Sequence, residues 1–293
     1  MLFSGQQKNT EWTGMYPITR RMIFGWAAAL FIASSALSQE APLRVLIFSG
    51  LNNHDWRSTT PALLRIFEGC PRFGAVDVTE TPGRCDAATF ARYDVIVSNW
   101  TPYPKTAREW PEITEKAFLD FIRKGGGFVV VHAAACTFQE WPPFQEIIGL
   151  TWDDKKTSHA RYGPFTVKVR NAAHPIARGL ADFSITDELY QNMTALTDKP
   201  FDTVFDAFSA KEANGTGKVE PMLIATTFGK GRGVNLMLGH DAAAMRNTGF
   251  QTLLLRSAEW AATGRVTIPK PGDWPSVSTK EDLPPAESSA KGR

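Results

Sequence analysis

Cysteine is scarce, with three in 293 residues, which excludes a small scaffold stapled by disulfides. No CxxC pair and no Cys/His spacing of the zinc-finger kind occurs. Neither sign of charge dominates, since 32 Lys and Arg face 30 Asp and Glu. Lys8, Arg20, Arg21 and Glu11 account for the charges up to Ser38, so the rest of the chain is neutral. Proteins that bind nucleic acid concentrate Lys and Arg to neutralise phosphate, and a neutral body makes nucleic acid an unexpected partner. Also missing are a GxSxG nucleophile elbow, a Walker phosphate loop, a GxGxxG after a strand, and any internal repeat. What remains is an ordinary globular composition, 43% hydrophobic and 21% charged.

The N-terminus has its own pattern. Arg20-Arg21 precede an apolar run from Met22 to Leu37, and the small residues Ala36 and Ser38 occupy the third and first positions before a cut at Gln39. That is the layout of an export signal, and the run falls short of the roughly twenty residues that span a bilayer. The arginine pair also fits the twin-arginine route for folded proteins, although such pairs occur in ordinary signals. Residues 1–38 therefore read as leader and export signal. The mature protein is expected in the periplasm or outside the cell, with no stable membrane anchor after cleavage. In an oxidising compartment Cys70 and Cys85 are near enough in sequence to close a loop, leaving Cys136 over; the plainer reading is three thiols.

From residue 39 to 268 strands alternate with helices. Leu43 to Ser49 is an unbroken apolar run typical of a strand covered on both faces. Thr60 with Pro61 reads as the start of a helix carrying Leu63, Leu64 and Phe67. Strands follow near Val76 to Thr79, Tyr93 to Ser98 and Phe128 to His132, with a helix through Ile113, Phe118 and Ile122 that stops at Gly125-Gly126-Gly127. This alternation predicts a parallel sheet between helices. Beyond Phe165, strands at Phe165 to Val169, Thr203 to Phe208, Met222 to Phe228 and Gly233 to Leu238 have little helix between them, which predicts an antiparallel extension. A helix over 248–262 closes the domain, and residues 269–293, with five Pro, read as a solvated tail.

A sheet of this kind binds ligands beyond the carboxyl ends of its strands. Three of the five histidines, His54, His132 and His240, fall at such exits. Singly each is an ordinary structural residue, but together they mark a crevice. Ser158-His159 lies in a polar loop, and Asp187-Glu188 offers paired carboxylates, or else mere surface charge. A His with a carboxylate partner serves as acid, base or metal ligand. His54, His132, Glu188 and His240 are the candidate catalytic residues. Asn53, Asp55, Trp56, Trp100, His159 and Asp241 are candidates for holding substrate. A divalent metal held through the histidines is left open. Trp110, Trp141 and Trp152 also lie near these loops, and aromatic faces in a polar crevice suit sugar rings. His174-Pro175 reads as a turn, and Gly229-Lys230-Gly231-Arg232-Gly233 as a hairpin.

The segments RVLIFSGLNNHDW, GGGFVVVHAA, HPIARGL, TDELY, GKGRGVNLMLGHD and FQTLLLRSAEWAA resemble, in that order, the trehalose-utilisation ThuA-like family. The resemblance implies the class I glutamine amidotransferase-like superfamily, a flavodoxin-like three-layer α/β sandwich, and a small carbohydrate, trehalose or a related disaccharide, as ligand. An active amidotransferase carries a nucleophilic Cys on the turn after a central strand. Gly239-His240-Asp241 resembles that superfamily's histidine position, but the matching nucleophile position, Ala133 or Ala134, holds alanine. Cys136 lies further on and is expected to point elsewhere, so glutamine hydrolysis is disfavoured. Three readings follow: an enzyme working on a sugar or oxidised sugar by His/carboxylate acid–base chemistry, a sugar-binding or accessory module without turnover, and a hydrolase using Cys136.

Overall fold

The computed structural model describes residues 40–105 and 109–277. The leader and export signal read at residues 1–38 lie outside the described residues, as does the end of the Pro-rich tail. Strand β1 (Leu43–Phe48) leads into helix α1 (Trp56–Glu68), β2 (Phe73–Thr79), a short α2 (Ala87–Phe90) and β3 (Val95–Ser98). Helix α3 (Glu112–Arg123) then precedes β4 (Gly127–Val131), and α4 (Pro142–Ile148) follows. The second half brings β5 (Ser158–His159), β6 (Gly163–Val169), β7 (Phe183–Asp187), β8 (Tyr190–Gln191) and β9 (Asp202–Phe208). Strands β10 (Val219–Phe228) and β11 (Gly231–Leu236) and helix α5 (Thr248–Thr263) complete it.

Nine strands form one sheet in the order β2-β1-β3-β4-β11-β10-β9-β6-β7. The first five are parallel and the remainder antiparallel, so the expected parallel sheet with an antiparallel extension is what the chain builds. Alternation along the apolar strands explains the three layers. Val45 and Ile47 of β1 and Val129 and Val131 of β4 pack with Leu63 and Phe67 of α1 and Phe250 and Leu253 of α5. Their neighbours Leu46, Phe48, Phe128 and Val130 pack on the other face with Phe118 of α3 and Phe144 of α4. At Gly127 a Cβ would come within 2.6 Å of the Ala261 backbone, so only glycine lets α5 lie this close to β4. Among the described residues no helix is long and apolar enough to cross a membrane.

Three local expectations are revised. Helix α1 begins at Trp56, not Thr60, and Pro61 lies inside it. The Thr60 hydroxyl does not cap; it meets Ser49 Oγ at 2.7 Å and, with Thr59, accepts from Asn99 Nδ2, tying the exits of β1 and β3 together. Strand β7 and helix α4 add elements that the apolar periodicity did not show. The plainer reading of the cysteines holds, since all three are free thiols. The first stretch of the tail is docked: Trp274 packs on Phe183, and Ser184 N donates to Ser276 O at 3.3 Å. The hairpin is as read, with Gly229 at a φ of 62° between β10 and β11.

Glu259 of α5 has a fully buried side chain that accepts from Arg72 Nε at 2.8 Å and from the Thr267 and Ile268 backbone at 2.8 and 3.1 Å. Burial pushes its carboxyl up, but the hydrogen bonds from Thr267 and Arg72 outweigh it and hold the group below its ordinary 4.5. A depressed carboxyl contributes stability that is present above that value and lost as the pH falls beneath it. Glu259→Ala removes the carboxylate that Arg72 Nε and the Thr267 and Ile268 backbone meet, and is expected to cost about 3 kcal/mol in urea unfolding at neutral pH. The gap to the parent should narrow as the pH drops below 4.5.

Candidate active site

The crevice lies where the parallel half of the sheet meets its extension, beyond the ends of β1, β4 and β11. Each histidine arrives on a loop whose backbone is separately secured. After β1, Asn52 Oδ1 accepts from His54 N at 2.8 Å, while Asn52 Nδ2 donates to the Asn99 carbonyl at 2.9 Å. After β4 the chain turns sharply at His132, whose φ of 47° is left-handed for a non-glycine residue. Such strain costs about 1–3 kcal/mol and is characteristic of functional turns. After β11, Gly239 has a φ of 103°, and a Cβ there would meet Phe250 at 2.7 Å.

Asp187, the buried last residue of β7, fixes that last loop. Its carboxylate accepts from Gly239 N at 2.7 Å, His240 N at 3.1 Å and Glu188 N at 2.8 Å. Burial holds the Asp187 carboxyl above its ordinary range, and these backbone donors pull against it. The paired carboxylates thus divide their tasks: Asp187 holds backbone, and Glu188, the next residue, turns into the crevice.

Glu188 is the point on which the side chains converge. Its Oε1 lies 2.9 Å from His159 Nδ1. Its Oε2 lies 3.2 Å from His240 Nδ1, 3.3 Å from His132 Nε2 and 3.9 Å from His54 Nε2. Four of the chain's five histidines therefore surround one carboxylate. The His54 ring stands edge-on to His132 and His240, with centroids 4.9 and 4.6 Å away. Burial pushes the Glu188 carboxyl up, but the His132, His240 and His54 rings around it prevail and hold it well below the ordinary carboxylate range. The hydrogen bond to Glu188 raises His240, while burial lowers His54. One ring nitrogen from each of His54, His132 and His240 and one Glu188 oxygen lie within 4.8 Å of one another, a donor set able to hold a metal ion.

Above this group opens a cavity of about 440 Å³, within the range of small-molecule sites. Asn53, Asp55, His159 and Asp241 line it as expected, together with His54, His240 and Glu188. Trp56 and Trp100 do not. Trp56 starts α1 and lies under the Arg57 guanidinium, 4.3 Å away, while Trp100 is buried against Trp110 and Phe138. The aromatic wall instead comes from Trp152, Tyr103 and Tyr190. Asp154 Oδ1 accepts from both Tyr103 Oη at 2.8 Å and Trp152 Nε1 at 2.9 Å, fixing two of these rings. Tyr190 stacks on His132 with centroids 4.1 Å apart. The tyrosines carry no sequence signal of their own, because only the crossing of loops brings them to the cavity.

Cys136 also touches the cavity, contrary to the expectation that it points elsewhere, yet burial pushes its thiol far above the usual range. The strained turn belongs to His132 rather than to Ala133 or Ala134, so an imidazole, not a thiol, stands at the elbow after β4. His174 stays outside the group. Its ring packs 4.7 Å from Trp260, and its Nδ1 accepts from Ile176 N, as suits a turn residue.

The family model described as ThuA, trehalose utilisation, matches residues 44–261. A ThuA-like protein from Parabacteroides merdae is 34% identical, with a TM-score of 0.72 over 82% of this chain and 96% of that one. Another from Bacteroides uniformis is 21% identical, with a TM-score of 0.56 over 78% and 94%. None of the curated proteins matches the chain. Because Asp187 holds three backbone donors, Asp187→Ala is expected to cost about 3 kcal/mol in denaturant unfolding and to displace His240. A shift of the His240 ring resonances larger than that of His174 would show the displacement.

Proposed function

The chain belongs to the ThuA trehalose-utilisation family, and from that premise we propose that it acts on a small carbohydrate, trehalose or a related disaccharide or its oxidised form, by His/carboxylate acid–base chemistry. The observation that carries this reading is the Glu188 carboxylate at the base of an aromatic-walled cavity, ringed by four imidazoles. The Trp152 and Tyr103 rings offer flat faces for a sugar, and Asn53, Asp55 and Asp241 offer polar groups for its hydroxyls.

The proton traffic falls to His159, the most exposed of the four rings. His159 is half-exposed and lies 2.9 Å from Glu188 Oε1 through Nδ1. Nδ1 also lies 2.9 Å from the Ala160 carbonyl, which accepts only, so Nδ1 carries the hydrogen and Nε2 is left as a base. Glu188, beside the same nitrogen, steadies the ring once it is protonated. The inner rings of His54, His132 and His240 act through Glu188 by keeping it ionised. Cys136, protonated and buried, takes no part. The leader pattern around Arg20-Arg21 supports export, which places this activity in the periplasm or outside the cell.

A second reading, a sugar-binding module without turnover, draws on the alanines at Ala133 and Ala134, where the superfamily resemblance expects a nucleophile. Turnover of a disaccharide panel separates the two. His159→Ala and Glu188→Gln are expected to lower kcat by about 10²–10⁴ with the circular dichroism spectrum unchanged, whereas Cys136→Ala keeps parental turnover. Heat of binding without product from the parent protein would favour the binding module. Parental rates in both His159→Ala and Glu188→Gln would end the acid–base reading.

A further inference from the structure

The hydrogen-bond inventory of the inner rings does not close. His132 has a side chain only 3% exposed, and its Nδ1 lies 2.8 Å from the Met237 carbonyl. A carbonyl cannot donate, so Nδ1 carries the hydrogen and Nε2 presents a lone pair. That Nε2 is buried without a hydrogen-bond partner, and it sits 3.3 Å from an oxygen of Glu188. Two lone pairs facing each other in a buried space repel unless positive charge lies between them. Protonating the rings supplies charge, but three centroids 4.6 to 5.3 Å apart would then repel one another around a single carboxylate.

One cation satisfies all four groups at once. We propose that His54, His132, His240 and Glu188 bind a single divalent transition-metal ion. Three imidazole nitrogens with one carboxylate oxygen favour a first-row transition ion over calcium or magnesium, which prefer oxygen. Around a tetrahedral ion at 2.0–2.2 Å the ligand atoms lie about 3.3–3.6 Å apart, so a set lying within 4.8 Å needs to contract by at most about 1.5 Å. The outer contacts also fit. The Met237 carbonyl orients His132, His159 meets the second oxygen of Glu188, and Asp187 holds the backbone of His240. Such an ion is a Lewis acid able to polarise a substrate oxygen at the base of the cavity, with His159 outside the ligand set and free to exchange protons.

The inference uses the site of the proposed function but not its substrate, so metal binding is measured without sugar. The full chain, stripped with a chelator and dialysed, is titrated separately with Zn²⁺ and Mn²⁺, and bound metal is counted after gel filtration. The expected result is one ion per chain for at least one metal. His54→Ala and His240→Ala, whose rings are only half-buried and whose folding circular dichroism confirms, should each weaken Kd by at least about 10-fold, the lower bound known for losing an outer contact. Absence of a retained ion with either metal, or an unchanged Kd in both variants, would overturn the proposal. One ion bound with no sugar bound or turned over would leave the metal site standing and remove the carbohydrate reading. Full sugar turnover by the chelated protein, shown free of metal, would overturn the proposed requirement of these groups for an ion while leaving the carbohydrate reading in place.

Discussion

A carboxylate this deeply buried stays ionised only if hydrogen-bond donors or positive charge replace the water it has lost. Glu188 obtains them from four imidazoles delivered by four different stretches of chain. The loops after β1, β4 and β11 and the short strand carrying His159 must therefore arrive together. Much of the local architecture reads as the means of holding them: the Asn52–Asn99 tie, the three backbone donors on Asp187, and the glycine at Gly239 that no larger residue could replace. The same requirement makes Glu188 the residue through which the fold and the chemistry are coupled.

The sheet supplies the rigidity that this convergence demands. Strands β1, β3 and β4 are covered on both faces by apolar clusters, and β11 packs Val234 and Leu236 into one of them, so their carboxyl ends form a fixed rim. On that rim the chain accepts a left-handed His132, a conformation worth about 1–3 kcal/mol of strain that the packed core offsets. A small cluster of Leu150, Tyr190, Ile224 and Met237 lies beneath the site, joining the wall of the cavity to the antiparallel strands. The extension is thus part of the site rather than an appendage, because β7 ends in Asp187 and passes directly to Glu188.

Much of this was legible in the chain itself. Unbroken apolar runs such as Leu43 to Ser49 and Phe128 to His132 declare buried parallel strands, and the rule that ligands collect at strand exits points to His54, His132 and His240. Two kinds of feature were not legible. Helix α1 starts at Trp56, and the Thr60 hydroxyl, read as an N-terminal cap, instead serves, with Thr59, tertiary partners at the exits of β1 and β3, which no local capping rule registers. The aromatic wall was read only in part: Trp152, placed near the candidate loops, does line the cavity, but Trp56 and Trp100 do not, whereas Tyr103 and Tyr190 reach it from stretches of chain distant from one another. Strand β7 was hidden because its third inward residue is Asp187, a charge where periodicity looks for an apolar side chain.

Binding of a carbohydrate in the four-imidazole pocket, as proposed, can be followed through the histidine ring resonances while trehalose and related disaccharides are added. His54, His159 and His240 should shift with one common saturation curve while His174, packed on Trp260 outside the cavity, stays in place. Rings that remain still throughout the titrations, or a response confined to His174, would contradict it.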